Sequence, residues 1–279
     1  MKTLSLGIST CPNDTFIFDA MVNGKIDTLN LEFDCQLTDV EELNRQAFNE
    51  KVDITKISYH AYAHVSDKYI LLNSGSALGY NNGPLLVAGG KKEPGELKGK
   101  PIAIPGKFTT ANLLMSVIYP FLTNRKEYLF SEIEDIVSEG KAAAGLLIHE
   151  NRFTYLDKGL YKVADLGEEW ESQTGMPIPL GGIAIRRKLG NELALRVEKV
   201  LASSLDYAYK NPESSYDFVR KHASTMNRDV MKRHIGLYVN DFSRHLGTLG
   251  HDAVRILYKK AETVNAIPPV RKDIFVGYY

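Results

Sequence analysis

The stretch Gly145-Leu-Leu-Ile-His149-Glu-Asn-Arg152 decides how this chain reads. Just upstream, Ile133, Ile136 and Val137 fall at helical spacing, and Glu139-Gly140 stops that pattern, since glycine readily takes the conformation that ends a helix. Ala142 to Ile148 is then a run of small and apolar residues, which predicts a buried strand. A helix leading into a buried strand is the repeating unit of an α/β fold. His149 arrives where the strand ends and the chain turns polar. Ligands of open α/β sheets sit at the carboxyl ends of strands, and imidazole exchanges a proton near neutral pH. His149 is therefore a candidate catalytic residue. Its structural alternative is a hydrogen-bonded histidine closing a strand.

The chain has 279 residues, enough for one large domain or two medium ones. At 44% hydrophobic and 24% charged, the composition is that of a globular protein. Lys plus Arg and Asp plus Glu both number 34, so the net charge gives no support for nucleic acid or an anionic membrane as partner. No apolar run approaches the length of a membrane-crossing helix. Met1-Lys-Thr-Leu-Ser-Leu-Gly-Ile turns polar too soon for a signal peptide, so the expected location is cytoplasmic. Cys11 and Cys35 are expected as free thiols in a reducing compartment. They supply too few ligands for a zinc site.

Before this stretch, Leu4–Ile8 reads as a strand, and Ser9 to Thr15 as a loop rich in capping residues. A helix follows from near Asp14 to Asn23-Gly24. Leu29–Leu37 and Val52–Ile57 read as strands, with a helix between them opened by Thr38 or Asp39. Ser58 precedes a helix over Tyr59–Val65. Tyr80-Asn-Asn-Gly-Pro84 is a turn before a strand at Leu85–Ala88. Beyond the polar connection Lys91–Lys100, the strand Ile102–Ile104 stops at Pro105-Gly106. Lys107-Phe-Thr-Thr110 then leads into a helix over Ala111–Phe121.

After His149, residues 155–176 show no clear period. Pro177 to Gly182 reads as a turn, and Gly182–Ile185 as a strand. The remainder is helical, over Leu193–Tyr209, from Pro212, over Arg228–Tyr238 and over His251–Val264. This tail carries no chemical motif, and His222, His234, His245 and His251 are expected to be structural or on the surface.

The unit from Leu4 echoes the unit from Ile102: strand, cap-rich loop, helix. Likewise Glu50-Lys51, a strand and Ser58 echo Glu139-Gly-Lys141, a strand and His149. Two similar α/β units predict two lobes, 1–84 plus 186–279 and 85–185, with the strands at Leu85 and Gly182 crossing between them. A ligand cleft is expected between such lobes. His60 and His64 are four apart but lack the Glu and the third ligand of a metal motif. No phosphate-binding glycine signature is present. Tyr59, Tyr62 and Tyr80 lie near the expected cleft loops, with core packing as their default role.

Five motifs stand in order along the chain: Ser9-Thr-Cys-Pro-Asn-Asp-Thr-Phe16, Asp53-Ile-Thr-Lys-Ile-Ser58, Pro105-Gly-Lys-Phe-Thr-Thr110, Gly145-Leu-Leu-Ile-His-Glu150 and Pro179-Leu-Gly-Gly182. Together they resemble the 1,4-dihydroxy-6-naphthoate synthase family, and the resemblance spans nearly the whole chain. It implies a two-lobed type II periplasmic-binding-protein fold used as an enzyme. The reaction implied is conversion of cyclic dehypoxanthine futalosine to 1,4-dihydroxy-6-naphthoate in menaquinone biosynthesis, without a cofactor. It further implies His149 as proton acceptor and Lys56, Ile57, Ser58, Thr109, Thr110 and Ala111 as substrate contacts.

These residue types suit that chemistry. Thr109 and Thr110 open a helix, where free N–H groups and the dipole favour a carboxylate. Lys56 and Ser58 add charge and a hydroxyl. The structural alternatives are a cap for each threonine and for Ser58, and an ion pair of Lys56 with Asp53 or Glu50. Asn13, Asp14 and Thr15 read first as a helix cap that also reaches the cleft; Glu150 either orients His149 or faces solvent. Two other functions fit the same fold: a non-enzymatic binder of a small carboxylate, and a chorismate dehydratase. The histidine at a strand end weighs against both.

Overall fold

The computed structural model describes residues 2–223 and 227–277, and the Glu150 side chain lies outside that description. The first α/β unit is β1 (Lys2–Ser9), α1 (Pro12–Val22), β2 (Leu31–Thr38), α2 (Val40–Phe48), β3 (Ile54–Ser58) and α3 (Tyr59–Ala63). Two short strands follow, β4 (Tyr69–Leu71) and β5 (Ala77–Gly79). The second unit is β6 (Leu85–Ala88), β7 (Ile102–Ile104), α4 (Thr110–Ile118), β8 (Arg125–Glu127), α5 (Ile133–Ser138), β9 (Ala144–Leu147), β10 (Tyr161–Asp165) and α6 (Leu166–Thr174). Then β11 (Ile178–Arg186) leads into α7 (Asn191–Lys210), α8 (Tyr216–His222), α9 (Arg228–Tyr238), α10 (Asp241–Arg244) and α11 (Gly247–Thr263).

Among the described residues the strands make two mixed sheets. One has six strands, in order β2-β1-β3-β11-β4 with β5 on β11; the other has five, β10-β6-β9-β7-β8. β1 runs parallel to β2 and β3, while β11 runs antiparallel to β3. β9 runs parallel to β7 and antiparallel to β6. Because β3 lies between β1 and β11 it is buried at every position. Thr55, Lys56 and Ser58 are thus drawn inside with Ile54 and Ile57, and a lysine there needs a partner. Tyr59 and Tyr62 belong to the same core, whereas Tyr80 is exposed. No helix among the described residues is long and apolar enough to cross a membrane.

Besides the short strands β4, β5 and β8, which the sequence did not announce, three departures from the sequence reading stand out. First, α1 begins at Pro12, not near Asp14. Proline fits the first helical turn, where its missing N–H leaves nothing unpaired. Asn13, Asp14 and Thr15 therefore lie inside the helix and are not caps; Thr15 Oγ1 donates back to the Cys11 carbonyl at 3.1 Å. Second, the Pro177–Gly182 segment is mostly strand, not turn. Ile178 and Pro179 pair with β5, and Gly181 and Gly182 pair with Ser58 and Ile57. Pro179 stands beside a register shift, where a strand tolerates a residue without an N–H. Third, the patternless 155–176 region holds β10 and α6. Asp165 caps α6 by accepting from Gly167 N at 2.8 Å and Glu168 N at 3.3 Å, and left-handed Gly175 ends it.

Candidate active site

A cleft open to solvent is lined from both halves of the fold. Each of Lys56, Ile57, Ser58, Thr109, Thr110, Ala111 and His149 lines it. They meet because each segment ends a strand or starts the helix after one: β3 for the first three, the β7–α4 connection for the next three, β9 for His149.

The two threonines divide their work. Thr109 is the N-cap of α4: its Oγ1 accepts from Asn112 N at 3.3 Å and donates to the Gly106 carbonyl at 2.9 Å. Thr110 is not a cap. Its Oγ1 donates to the Leu180 carbonyl on β11 at 2.5 Å and accepts from His60 N at 3.4 Å, tying α4 to the first sheet. Thr109→Ala is therefore expected to cost about 1 kcal/mol of stability. A urea midpoint equal to wild type would remove the cap from this account.

Ser58 stands at the N-cap position of α3 without making a side-chain cap. Instead Asn44 holds it, Oδ1 accepting from Ser58 N at 3.0 Å and Nδ2 donating to Ser58 Oγ at 3.1 Å. Lys56 pairs with neither Asp53 nor Glu50. Its Nζ donates to Asp14 Oδ1 at 2.8 Å, and both side chains are buried. Asp14 also accepts from Ser9 Oγ at 2.7 Å and Asn13 Nδ2 at 2.8 Å. Asp53 is taken by Ser5 at 3.1 Å and by Arg186 at 3.6 Å. The ion pair thus sits in the wall of the cleft with no net charge.

His149 has φ +56, a left-handed conformation uncommon for a residue with a side chain. Such strain is often found at functional sites. The Nδ1 of His149 lies 3.2 Å from Cys11 Sγ. Phe130 meets the ring edge-on at 5.0 Å, and His234 stacks on it at 6.2 Å with 19° between planes. His234 Nε2 donates to Asn13 Oδ1 at 2.9 Å. Burial holds its pKa well below the usual 6.5, with the nearby His149 and Lys56 pushing the same way. His234 is neutral and buried at the wall of the cleft, a hydrogen-bonded histidine and not a surface one, although the sequence did not place it at the cleft. Nothing local to α9 signals this; only the packing of α9 against the turn after β9 creates it. Cys11 and Asn82 also line or border the cleft unforeseen, although Cys11 does lie in the cap-rich loop after β1. Among the described residues neither cysteine forms a disulfide.

His60 and His64 do share a helix face, with ring centroids 5.5 Å apart. Among the described residues no three His, Cys, Asp or Glu side chains group as metal ligands. His60 is buried, its Nδ1 3.2 Å from the Thr109 carbonyl, and burial pushes its pKa down from 6.5 to about 4. Above 6.5 the ring is neutral whether folded or unfolded. Between there and about 4 the unfolded chain takes up a proton that the folded chain refuses. Stability should then fall as pH falls, by up to about 1.4 kcal/mol per pH unit. His60→Gln is expected to flatten this part of a plot of urea midpoint against pH. A wild-type plot already level over that range would count against it.

Two mixed α/β sheets around a small-molecule cleft are the architecture of periplasmic binding proteins. A Candida albicans protein described as having the generic periplasmic binding protein fold matches at a TM-score of 0.70 and 11% identity, over 98% of this chain and 94% of that one. A menaquinone-biosynthesis family model matches residues 4–263, and the chain belongs to that family. It is 42% identical over 276 residues to a Thermus thermophilus protein named 1,4-dihydroxy-6-naphthoate synthase, covering 99% of this chain and 100% of that one. It is 38% identical over 285 residues to a Streptomyces coelicolor protein of the same name, covering 97% of each. This chain is an enzyme of menaquinone biosynthesis.

Proposed function

We propose that this enzyme is a lyase that converts cyclic dehypoxanthine futalosine to 1,4-dihydroxy-6-naphthoate, with His149 as general base. The observation that carries the reading is His149 itself, a strained histidine at a strand end beside an α4 N-terminus that suits an anion. The names of the two relatives point to the same product. Release of the sugar-derived fragment leaves an aromatic ring, so aromatisation drives the reaction and the protein has mainly to begin it. His149 takes a proton from a hydroxyl or an acidic carbon. The substrate carboxylate rests at Thr109, Thr110 and Ala111, where the N–H groups of the first turn of α4 and the helix dipole favour negative charge. Ile57 and Ser58 bound the same space from β3, and Lys56 contributes there while held by Asp14.

We also infer two lobes facing each other across the cleft, 1–84 plus 178–279 and 85–177, with the return boundary moved back from the 185/186 position expected from the sequence. Since β11 belongs to the first sheet along its length, the return boundary is drawn before Ile178. Two cysteines without a disulfide among the described residues suit the cytoplasm. The test is incubation of the purified chain with cyclic dehypoxanthine futalosine, without added cofactor, and analysis for the naphthoate. Binding without conversion would favour a non-enzymatic carboxylate binder, and turnover of chorismate instead would favour a dehydratase.

A further inference from the structure

We propose that Asn82 contacts the substrate, engaging a hydroxyl of its sugar-derived part with both ends of the side-chain amide. This rests on the reaction proposed above. Asn82 lies in the 80–84 loop between β5 and β6, where the chain leaves the first sheet for the second. Its side chain is 0% exposed and lines the cleft. Neither Oδ1 nor Nδ2 has a hydrogen-bond partner among the described residues. Buried polar groups are nearly always paired, and an exception on the wall of a binding cleft asks for a ligand.

The backbone around this unpaired amide is tied down on both sides. Asn81 N donates to Glu171 Oε1 at 2.7 Å, Arg152 donates to the Gly83 carbonyl, and Leu166 N donates to the Pro84 carbonyl at 2.9 Å. Gly83 packs so closely that a Cβ there would lie 2.3 Å from Gly167 N. A Cβ on Gly79 would lie 2.9 Å from Asn82 Nδ2, so glycine at 79 gives the amide its room. The neighbouring Asn240 amide is otherwise engaged, donating to the Leu78 carbonyl at 3.0 Å and capping α10. An unpaired polar group on a fixed backbone is preorganised, so little ordering remains to oppose binding.

Chemistry selects the group it meets. A carboxylate only accepts, and would leave Oδ1 unpaired. A hydroxyl donates to Oδ1 and accepts from Nδ2 at once. The carboxylate already has the α4 N-terminus. The hydroxyls that remain to be recognised before the reaction are those of the sugar-derived part.

Asn82→Leu keeps approximate size and removes both hydrogen-bonding groups. Its KM for cyclic dehypoxanthine futalosine is expected to rise about tenfold or more. The Tm of the ligand-free variant should equal or exceed that of wild type, because an unpaired buried amide gives way to an apolar group. Inhibition by the product, which lacks the sugar-derived part, should be unchanged. An unchanged KM would overturn the proposal, and so would a fall in Tm without a change in KM. Weakened product inhibition would place Asn82 on the aromatic half and overturn the assignment to the sugar. Asn82→Ala serves the same comparison if the leucine variant does not fold. Wild-type protein inactive on this substrate would remove the reaction itself and this proposal with it, an outcome visible before any variant is made.

Discussion

Replacing His149 by Asn is expected to lower turnover by about 10²–10⁴-fold, the usual contribution of a positioned general base. Substrate affinity should stay within about tenfold, or ~1.4 kcal/mol. Asparagine is the informative substitution for two reasons. It tolerates the left-handed region better than most residues, so the backbone at φ +56 need not move. Its amide still hydrogen-bonds, so the contact with Cys11 Sγ, 3.2 Å from Nδ1 in the wild type, has a replacement. What it lacks is the ability to take up a proton. Only a neutral ring accepts one, so wild-type turnover should also fall on acidification, and the residual activity of the variant should not follow that fall. Steady-state kinetics and calorimetric binding separate the two quantities. A variant with near-normal turnover would take His149 out of the mechanism.

Lys56→Met should cost about 3–5 kcal/mol of stability, the range found when one partner of a buried ion pair is removed. Asp14 is wholly buried and would keep the Ser9 hydroxyl, the Ser9 backbone N–H and the Asn13 amide as donors, none of them charged. Neutral hydrogen bonds do not replace a cation against the desolvation of a carboxylate in the interior. Adding Asp14→Asn removes that charge and should recover most of the loss. Urea denaturation of the single and double variants gives the comparison directly. If Lys56→Met unfolded at the wild-type midpoint, or if the double variant were no better than the single, the ion pair would not be what holds this wall of the cleft. The pair is not a gain in stability over an apolar wall of similar volume. Its presence fits a site that needs polar groups held in place.

Local signals in the sequence were enough for the two strand–loop–helix units and for the places where chemistry gathers. The apolar run before His149, the Thr109 cap and the Asp39 cap act within a few residues, and each stands where its own neighbours put it. Short-range rules failed where pairing partners decide. β8 is Arg125-Lys-Glu127, with no apolar residue to announce it, and exists because it pairs with β7. The Pro177–Gly182 segment carries turn residues, yet β3 and β5 draw most of it into strand. The wall of the cleft depends on distances in the chain that no period spans. Lys56 finds Asp14 across 42 residues, and His234 finds Asn13 across 221. Asn82 reads locally as one more turn residue. Its sequence determined that it could sit in a turn; the packing of Gly83 on Gly167, and the room at Gly79, decided that its amide is buried at the cleft without a protein partner. Propensity and capping are properties of a few adjacent residues, whereas burial and pairing belong to the closed chain, and in this protein the second set built the site.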